Sequence, residues 1–200
     1  MDRDLFAHKA DSYERNARRV DNVDGIARAI RDAVPLHRAM HLMDFGSGTG
    51  LLLERLAPQV GRITAVDISP AMNRQLEAKR AALGCEVVLC QVDLEATDIE
   101  GGFDGIVSSM SLHHVRDVPA LLARFHRLLA PGGFIALSDL DTEDGSFHSE
   151  DTGVFHFGFD REAIAAAARE AGFRDVAVRD ASVVRKPERD YPVFLLLGRR

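Results

Sequence analysis

Asp44-Phe45-Gly46-Ser47-Gly48-Thr49-Gly50 closes a short apolar run that begins near Met40 and opens onto a helical pattern. Glycines at this spacing let the backbone turn tightly and let a ligand approach main-chain atoms with no Cβ in the way. A tight turn that binds nothing has the same spacing, so the loop gains meaning from its position. Ligands of open α/β sheets sit beyond the carboxyl ends of the strands, which is where this loop falls.

Outward from the loop, short apolar strands alternate with helical segments, the pattern of βαβ units and a parallel sheet. Strands are predicted at residues 41–45, 62–66, 86–92, 105–109 and 134–140, with helices at 49–56, 71–83 and 118–129. In the last of these helices Val118, Leu121, Leu122, Phe125, Leu128 and Leu129 form one stripe, read as core packing. A helix over residues 160–171 stops at Gly172. Two further strands, 176–184 and 191–198, are separated by six polar residues. That is too few for a parallel crossover, so the pair is expected to be antiparallel, giving seven strands. Upstream, Val23, Ile26, Ala27 and Ile30 share a helix face, with Asn22 or Asp24 as its cap and Pro35 limiting its far end.

Two hundred residues suit a single domain. It divides into an N-terminal helical arm or lid (1–39), a core (40–140), a substrate-side insertion (141–159), and a C-terminal helix and hairpin (160–200). Composition is that of a globular protein, 46% hydrophobic and 28% charged, which excludes low-complexity and collagen-like chains. No apolar run approaches the roughly 18–20 residues of a membrane span. Met1-Asp2-Arg3-Asp4 has neither the basic nor the apolar part of a signal peptide, so a cytoplasmic location with no membrane partner is expected. The net charge of −6, with no long basic block, argues against a nucleic-acid partner. Cys85 and Cys90 are too few for a disulfide framework or a cysteine zinc site.

Acidic residues follow the next two strands. Asp67 stands 21 residues beyond Gly46, where a carboxylate can accept from both hydroxyls of a ribose. The alternative is a helix cap, since Ile68-Ser69-Pro70 reads as a helix start. Asp93 is placed to accept from an adenine amino group, with Leu94 covering the ring; otherwise it is a loop carboxylate. With Asp44 these form a nucleoside pocket. A dinucleotide fingerprint would need its third glycine at position 51, where the chain has Leu51. Asp44 is also a poor neighbour for a pyrophosphate but a good one for a sulfonium or an ammonium, which points to S-adenosyl-L-methionine.

The chain resembles class I S-adenosylmethionine-dependent methyltransferases of the broad small-molecule, type 11-like group. The resemblance rests on residues 44–50, Val66-Asp67-Ile68-Ser69-Pro70-Ala71-Met72, Gln91-Val92-Asp93-Leu94 and Phe103-Asp104-Gly105-Ile106-Val107-Ser108-Ser109. Leu112-His113-His114-Val115 and Leu129-Ala130-Pro131-Gly132-Gly133 complete it, so that it covers about residues 40–140. It implies an α/β fold: a Rossmann-like seven-stranded sheet with helices on both faces, mostly parallel, the last strand antiparallel. It implies cofactor contacts from Asp44, Gly46, Ser47, Gly48 and Gly50, from Asp67 and Ile68, from Asp93 and Leu94, and from Ser109. Pro131-Gly132-Gly133 would be a turn ahead of the fifth strand. Ser108-Ser109-Met110-Ser111 stands where enzymes methylating adenine or glutamine nitrogens carry Asn/Asp-Pro-Pro-Tyr, and no cysteine follows the fourth strand for cytosine-carbon chemistry. The implied activity is methyl transfer to an O, N or S atom of a small-molecule acceptor by in-line displacement. The competing readings are a non-catalytic cofactor-binding or regulatory subunit and a nicotinamide-dependent oxidoreductase. Leu51 and the absence of a Tyr-x-x-x-Lys pair speak against the oxidoreductase.

A thiolate or free amine accepts a methyl group without a strong base, whereas a hydroxyl or phenol benefits from one. His113, His114, His148 and His156 are the candidate catalytic groups, with packing roles as the alternative. Adjacent His113 and His114 are expected to point apart, no His-x-x-x-His pair falls on a predicted helix, and no metal is expected. Asp139, Asp141, Glu143, Asp144, Glu150 and Asp151 read either as a solvated acidic loop or as a negative rim for a cationic or amine-bearing acceptor. Phe155, Phe157 and Phe159 either pack the insertion onto the sheet or line an apolar pocket. Tyr13, Arg18 and Arg19 either fold over the cofactor, an arginine pairing with its methionine carboxylate, or belong to an exposed helix.

Overall fold

Leu42 lies opposite Ile63 on one side and Gly105 on the other, which places β1 (His41–Phe45) in the interior of the sheet. The computed structural model describes residues 4–148 and 153–200. The remaining strands are β2 (Arg62–Val66), β3 (Glu86–Cys90), β4 (Phe103–Ser109), β5 (Leu129–Leu140), β6 (Arg174–Arg185) and β7 (Asp190–Arg199). Their order is β3-β2-β1-β4-β5-β7-β6. Only β7 runs against its neighbours, pairing antiparallel with β5 and with β6. This is the α/β architecture expected from the sequence.

Side chains of successive strand residues point to opposite faces, so each strand feeds two cores. Leu42 and Ala136 pack with α1 (Ala17–Ala33) and α2 (Leu51–Leu56). Their neighbours Met43 and Leu137 pack on the other face with α4 (Val118–Leu128) and α5 (Arg161–Glu170). The apolar stripe of α4 is buried as read; Asp117 caps it by accepting the Ala120 N–H. Among the described residues no helix is long and apolar enough to cross a membrane.

Several boundaries differ from the sequence reading, each for a local reason. Helix α1 begins a turn and a half earlier than its stripe suggests. Asn16 is its cap, accepting the Arg19 N–H, so Asn22 and Asp24 lie inside the helix. Strand β3 ends at Cys90 because its partner β2 ends at Val66, the last pair in register. Asp93 therefore stands in the loop beyond the strand. Strand β5 starts at Leu129, opposite Phe103, and Pro131-Gly132-Gly133 forms an irregularity within it rather than a turn ahead of it. Gly105 is required opposite Phe134, since a Cβ there would lie 2.2 Å from the Phe134 ring.

Candidate functional site

The glycine loop leaves β1 with its backbone folded onto β2: the Gly46 and Ser47 N–H groups donate to the Val66 carbonyl at 2.8 and 3.1 Å. Gly46 is left-handed (φ +67°), and a Cβ there would lie 2.2 Å from Ser111 Oγ. Gly48 is also left-handed (φ +54°) but faces open space, with no atom within 4 Å of where a Cβ would sit. Only glycine combines these conformations with an uncovered backbone.

Asp67 ties the loop to the next strand. One of its oxygens accepts the Gly48 N–H and the other the Ser69 N–H, both at 2.8 Å. The cap of α3 (Pro70–Lys79) is Ser69, whose hydroxyl accepts the Met72 N–H. A carboxylate oxygen has two acceptor sites, so Asp67 keeps capacity for two hydroxyl donors. Burial raises its pKa; the Ser69 and Gly48 hydrogen bonds oppose that rise and the nearby Asp4 carboxylate adds to it. Asp44 is 1% exposed, and its Oδ2 has no hydrogen-bond partner. Burial, with the charge of Asp67 added, pushes its pKa up to about 8. A cationic ligand group beside Asp44 would supply both the missing partner and the missing counter-charge.

These residues open on a cavity of about 490 Å³, within the range of sites for small ligands. Eight buried side-chain polar atoms of the described residues lack a partner. Six belong to residues lining this cavity: Asn22, Asp44, Ser47, Thr49, Ser109 and His148. Buried polar groups are normally satisfied, so their concentration here marks a surface built for a polar ligand.

Gly46, Gly48, Asp67, Ile68, Asp93 and Leu94 also line the cavity. Gly50 does not; it is the left-handed residue starting α2, and a Cβ would lie 2.6 Å from Leu76 Cδ1, so it serves helix packing. Asp93 is exposed and accepts the Glu95 N–H. Tyr13, Arg18 and Arg19 all line the cavity. Arg19 stacks 3.8 Å over the Tyr13 ring and donates to the Tyr13 carbonyl. The arm carrying them is pinned across the sheet ends, Asp4 accepting from Ser69 Oγ and the Ala71 N–H, and Lys79 meeting both Glu14 and Glu54.

His113, His114 and His148 line the cavity, and His156 does not. His156 instead bonds the Val115 carbonyl and packs on Phe159. His113 and His114 do not point apart: their ring centroids are 4.2 Å apart, because both lie in a 3₁₀ turn (Leu112–His114) rather than in extended chain. The His148 ring lies 5.0 Å from that of His113. Burial, then the charge of His113, pushes the pKa values of His114 and His148 down to about 4. His113 itself bonds Asp139 Oδ1 through Nδ1 at 2.7 Å, and its backbone N–H donates to Asp139 Oδ2. Burial opposes ionisation of Asp139, but the His113 charge and three hydrogen bonds outweigh it and hold the carboxyl below its ordinary value.

Asp139 is thus no part of a solvated acidic loop: it is fully buried at the end of β5. Nor do its neighbours form a bare acidic rim, since Arg161 pairs with Asp141 and Arg189 with Asp144, both arginines lying outside the insertion. Glu150 and Asp151 lie outside the described residues. Phe159 packs against Phe194, Phe155 lies under Arg116, and Phe157 packs near Gly145. None of the three lines the cavity. Residues missed by sequence reading include Asn22, Thr49, Met110, Phe147 and Lys186, brought to the cavity from five separated segments. Among the described residues no group of three or more His, Cys, Asp or Glu could hold a metal ion.

A methyltransferase-domain family profile matches residues 13–178. An uncharacterized methyltransferase of Schizosaccharomyces pombe is 29% identical over 166 residues, 74% of this chain and 57% of that protein. Nocamycin O-methyltransferase of Saccharothrix syringae is 34% identical over 119 residues, 56% of this chain and 42% of that protein. The chain therefore spans about half the length of the curated relatives it matches. In fold it is similar to Burkholderia thailandensis 1,6-didemethyltoxoflavin-N1-methyltransferase, solved with bound 1,6-didemethyltoxoflavin and S-adenosylhomocysteine. The TM-score is 0.74 at 21% identity, over 98% of this chain and 84% of that one. It is also similar to a chain of the Haloferax volcanii complex between the Trm112 methyltransferase activator and a methyltransferase, at TM-score 0.78, 19% identity and coverage of 100% and 99%. With the glycine loop, Asp67 and the unpartnered Asp44 at one cavity, the chain belongs to the class I S-adenosylmethionine-dependent methyltransferase family.

Proposed function

We propose that the protein transfers a methyl group from S-adenosylmethionine to an O, N or S atom of a small molecule. Bound S-adenosylmethionine supplies an electrophilic methyl carbon on a positively charged sulfur. Asp44 then offers a carboxylate to the ammonium end of the cofactor, Asp67 accepts from its ribose hydroxyls, and Ile68, Asp93 and Leu94 surround the adenine. Ser47, Gly46 and Gly48 present backbone and hydroxyl groups between these ends. Displacement from a sulfonium needs alignment and exclusion of water more than bond activation. The described parts of the arm (residues 4–39) and of the insertion (residues 141–148 and 153–159) are assigned to that enclosure. Free Cys85 and Cys90 fit the reducing cytoplasm.

The observation that carries this reading is the buried, unpartnered Asp44 Oδ2 beside Asp67, a site suited to a cation and hostile to a pyrophosphate. Calorimetric titration with S-adenosylmethionine, S-adenosylhomocysteine and NAD tests it. The first two should bind and NAD should not; saturation by NAD alone would overturn the reading. Methyl transfer from labelled donor to a panel of thiols, amines and phenols then separates an enzyme from a regulatory subunit that only binds the cofactor.

A further inference from the structure

The charged groups that the sheet brings to the cavity fall on two sides, and Lys9 and Arg19 join them from the N-terminal arm. The carboxylates Asp44, Asp67, Asp93 and Glu95 lie at or beyond the carboxyl ends of β1, β2 and β3, on one half of the sheet. His113, Phe147, His148 and Lys186 follow β4, β5 and β6, on the other half, with Arg18 arriving on α1, which packs along β6. Neither Arg18 nor Lys186 has a carboxylate partner within ion-pair distance among the described residues. Lys186 Nζ is held 4.4 Å from the Phe147 ring centroid and donates to the Phe147 carbonyl. Ring contacts run from Phe147 to His148 and from His148 to His113, each at 5.0 Å, so the cation and the His113–Asp139 pair border one space.

Within that pair the protons are constrained. Asp139 Oδ1 takes the His113 ring and the Leu140 N–H, and Oδ2 takes the His113 N–H. Nδ1 of His113 is therefore the donor in this pair, and in the neutral ring Nε2, which has no partner among the described residues, is the acceptor nitrogen. Around the ring stand Asp139 from β5, His114 from the same turn and His148 from the insertion, with Glu143 and Lys186 reaching His148. A buried carboxylate that orients an imidazole and stabilises its protonated form is the arrangement of a general base. Thiol and amine acceptors have little need of it.

We propose that the acceptor is a hydroxyl compound of phenolic acidity that carries an anionic group, with His113 Nε2 as its base, Asp139 as the positioning residue, and Arg18 and Lys186 as the seat of the anion. This rests on the methyltransferase reading and narrows it. The hydroxyl proton passes to Nε2 as an oxygen lone pair bonds the methyl carbon. The carbon–sulfur pair returns to sulfur, leaving a neutral thioether, and the imidazolium later releases its proton to solvent.

The test uses 4-hydroxy-3-nitrobenzoate and its methyl ester, whose phenolates are yellow, titrated into protein saturated with S-adenosylhomocysteine. The acid should bind about tenfold tighter than the ester, as hydrogen bonds from Arg18 and Lys186 to a charged group predict. Arg18→Met with Lys186→Met should bring that ratio to near one. His113→Gln and Asp139→Asn should each move the pH at which the bound probe turns yellow upward, with acid-over-ester preference kept. Equal binding of acid and ester, binding of neither, or a colour midpoint unmoved by His113→Gln would overturn the proposal while leaving the methyltransferase reading standing. Absence of S-adenosylhomocysteine uptake at the start would instead sink that reading, and this inference with it.

Discussion

The Gly48 N–H donates to Asp67 Oδ2 at 2.8 Å, so the glycine loop and the carboxylate beyond β2 form one hydrogen-bonded unit before any ligand arrives. Asp67→Ala removes both the ligand-facing oxygens and the partners of the Gly48 and Ser69 N–H groups. Hydrogen bonds to a charged group are worth roughly 1.5–3 kcal/mol. S-adenosylhomocysteine should therefore bind about 10- to 100-fold more weakly to this variant by calorimetry. Asp67→Asn has one acceptor oxygen for two donors and should fall between. Wild-type affinity in either variant would remove Asp67 from the site.

Asp44 links binding to pH. Its folded pKa, about 8, lies above the unfolded carboxyl value, so the unfolded chain gives up its proton first as pH rises. The ligand-free protein should lose stability from this group between about pH 4 and pH 8, at up to about 1.4 kcal/mol per pH unit. Asp44→Asn should flatten that slope. A cation beside Asp44 draws out the same proton, so cofactor binding at pH 7 should release close to one proton in the wild type and none in Asp44→Asn. Calorimetry in buffers of different ionisation enthalpy measures the difference.

The sequence pattern exposed the half of the candidate site that is local. The loop from Asp44 to Gly50, Asp67 and Leu94 each follow a strand, and in a parallel sheet strand ends converge by topology alone. The other half depends on contacts far apart in sequence. Asp139 sits in an acidic run and reads as solvated; only its pairing with His113, 26 residues away, reveals it as buried. Asn22 reads as a cap because the buried face of α1 extends beyond its apolar residues, and the polar position turned inward meets the cavity. Lys186 lies in a polar hairpin tip whose return toward the sheet is set by the β6–β7 register. No short-range pattern carries that information.

His114 and His148 make the fold acid-sensitive. Both have folded pKa values near 4, below the ordinary imidazole value, so the unfolded chain takes up protons first as pH falls. Stability is fully present above about pH 6.5 and is lost as pH drops toward 4. His114→Gln should reduce the fall in Tm between pH 6.5 and pH 4.5, and His148→Gln should reduce it less because that ring is more exposed. An unchanged acid slope in both variants would mean that the rings titrate as freely in the folded protein as in the unfolded one.

Gly46 and Gly48 share a left-handed backbone but have different surroundings, and alanine separates the two. At Gly46 a methyl group meets Ser111 Oγ at 2.2 Å, so the strain of the conformation adds to a clash against the turn that follows β4. At Gly48 the methyl group meets no atom within 4 Å and projects from a loop lining the cavity. A left-handed non-glycine residue alone costs roughly 1–2 kcal/mol. Gly48→Ala should lose about that much in denaturant unfolding, yet lose S-adenosylhomocysteine binding by tenfold or more, because the methyl group occupies ligand space. Gly46→Ala should lose more stability than Gly48→Ala, since Ser111 must move as well. If Gly48→Ala instead bound the cofactor as the wild type does, the backbone at residue 48 would not be where the ligand approaches the loop.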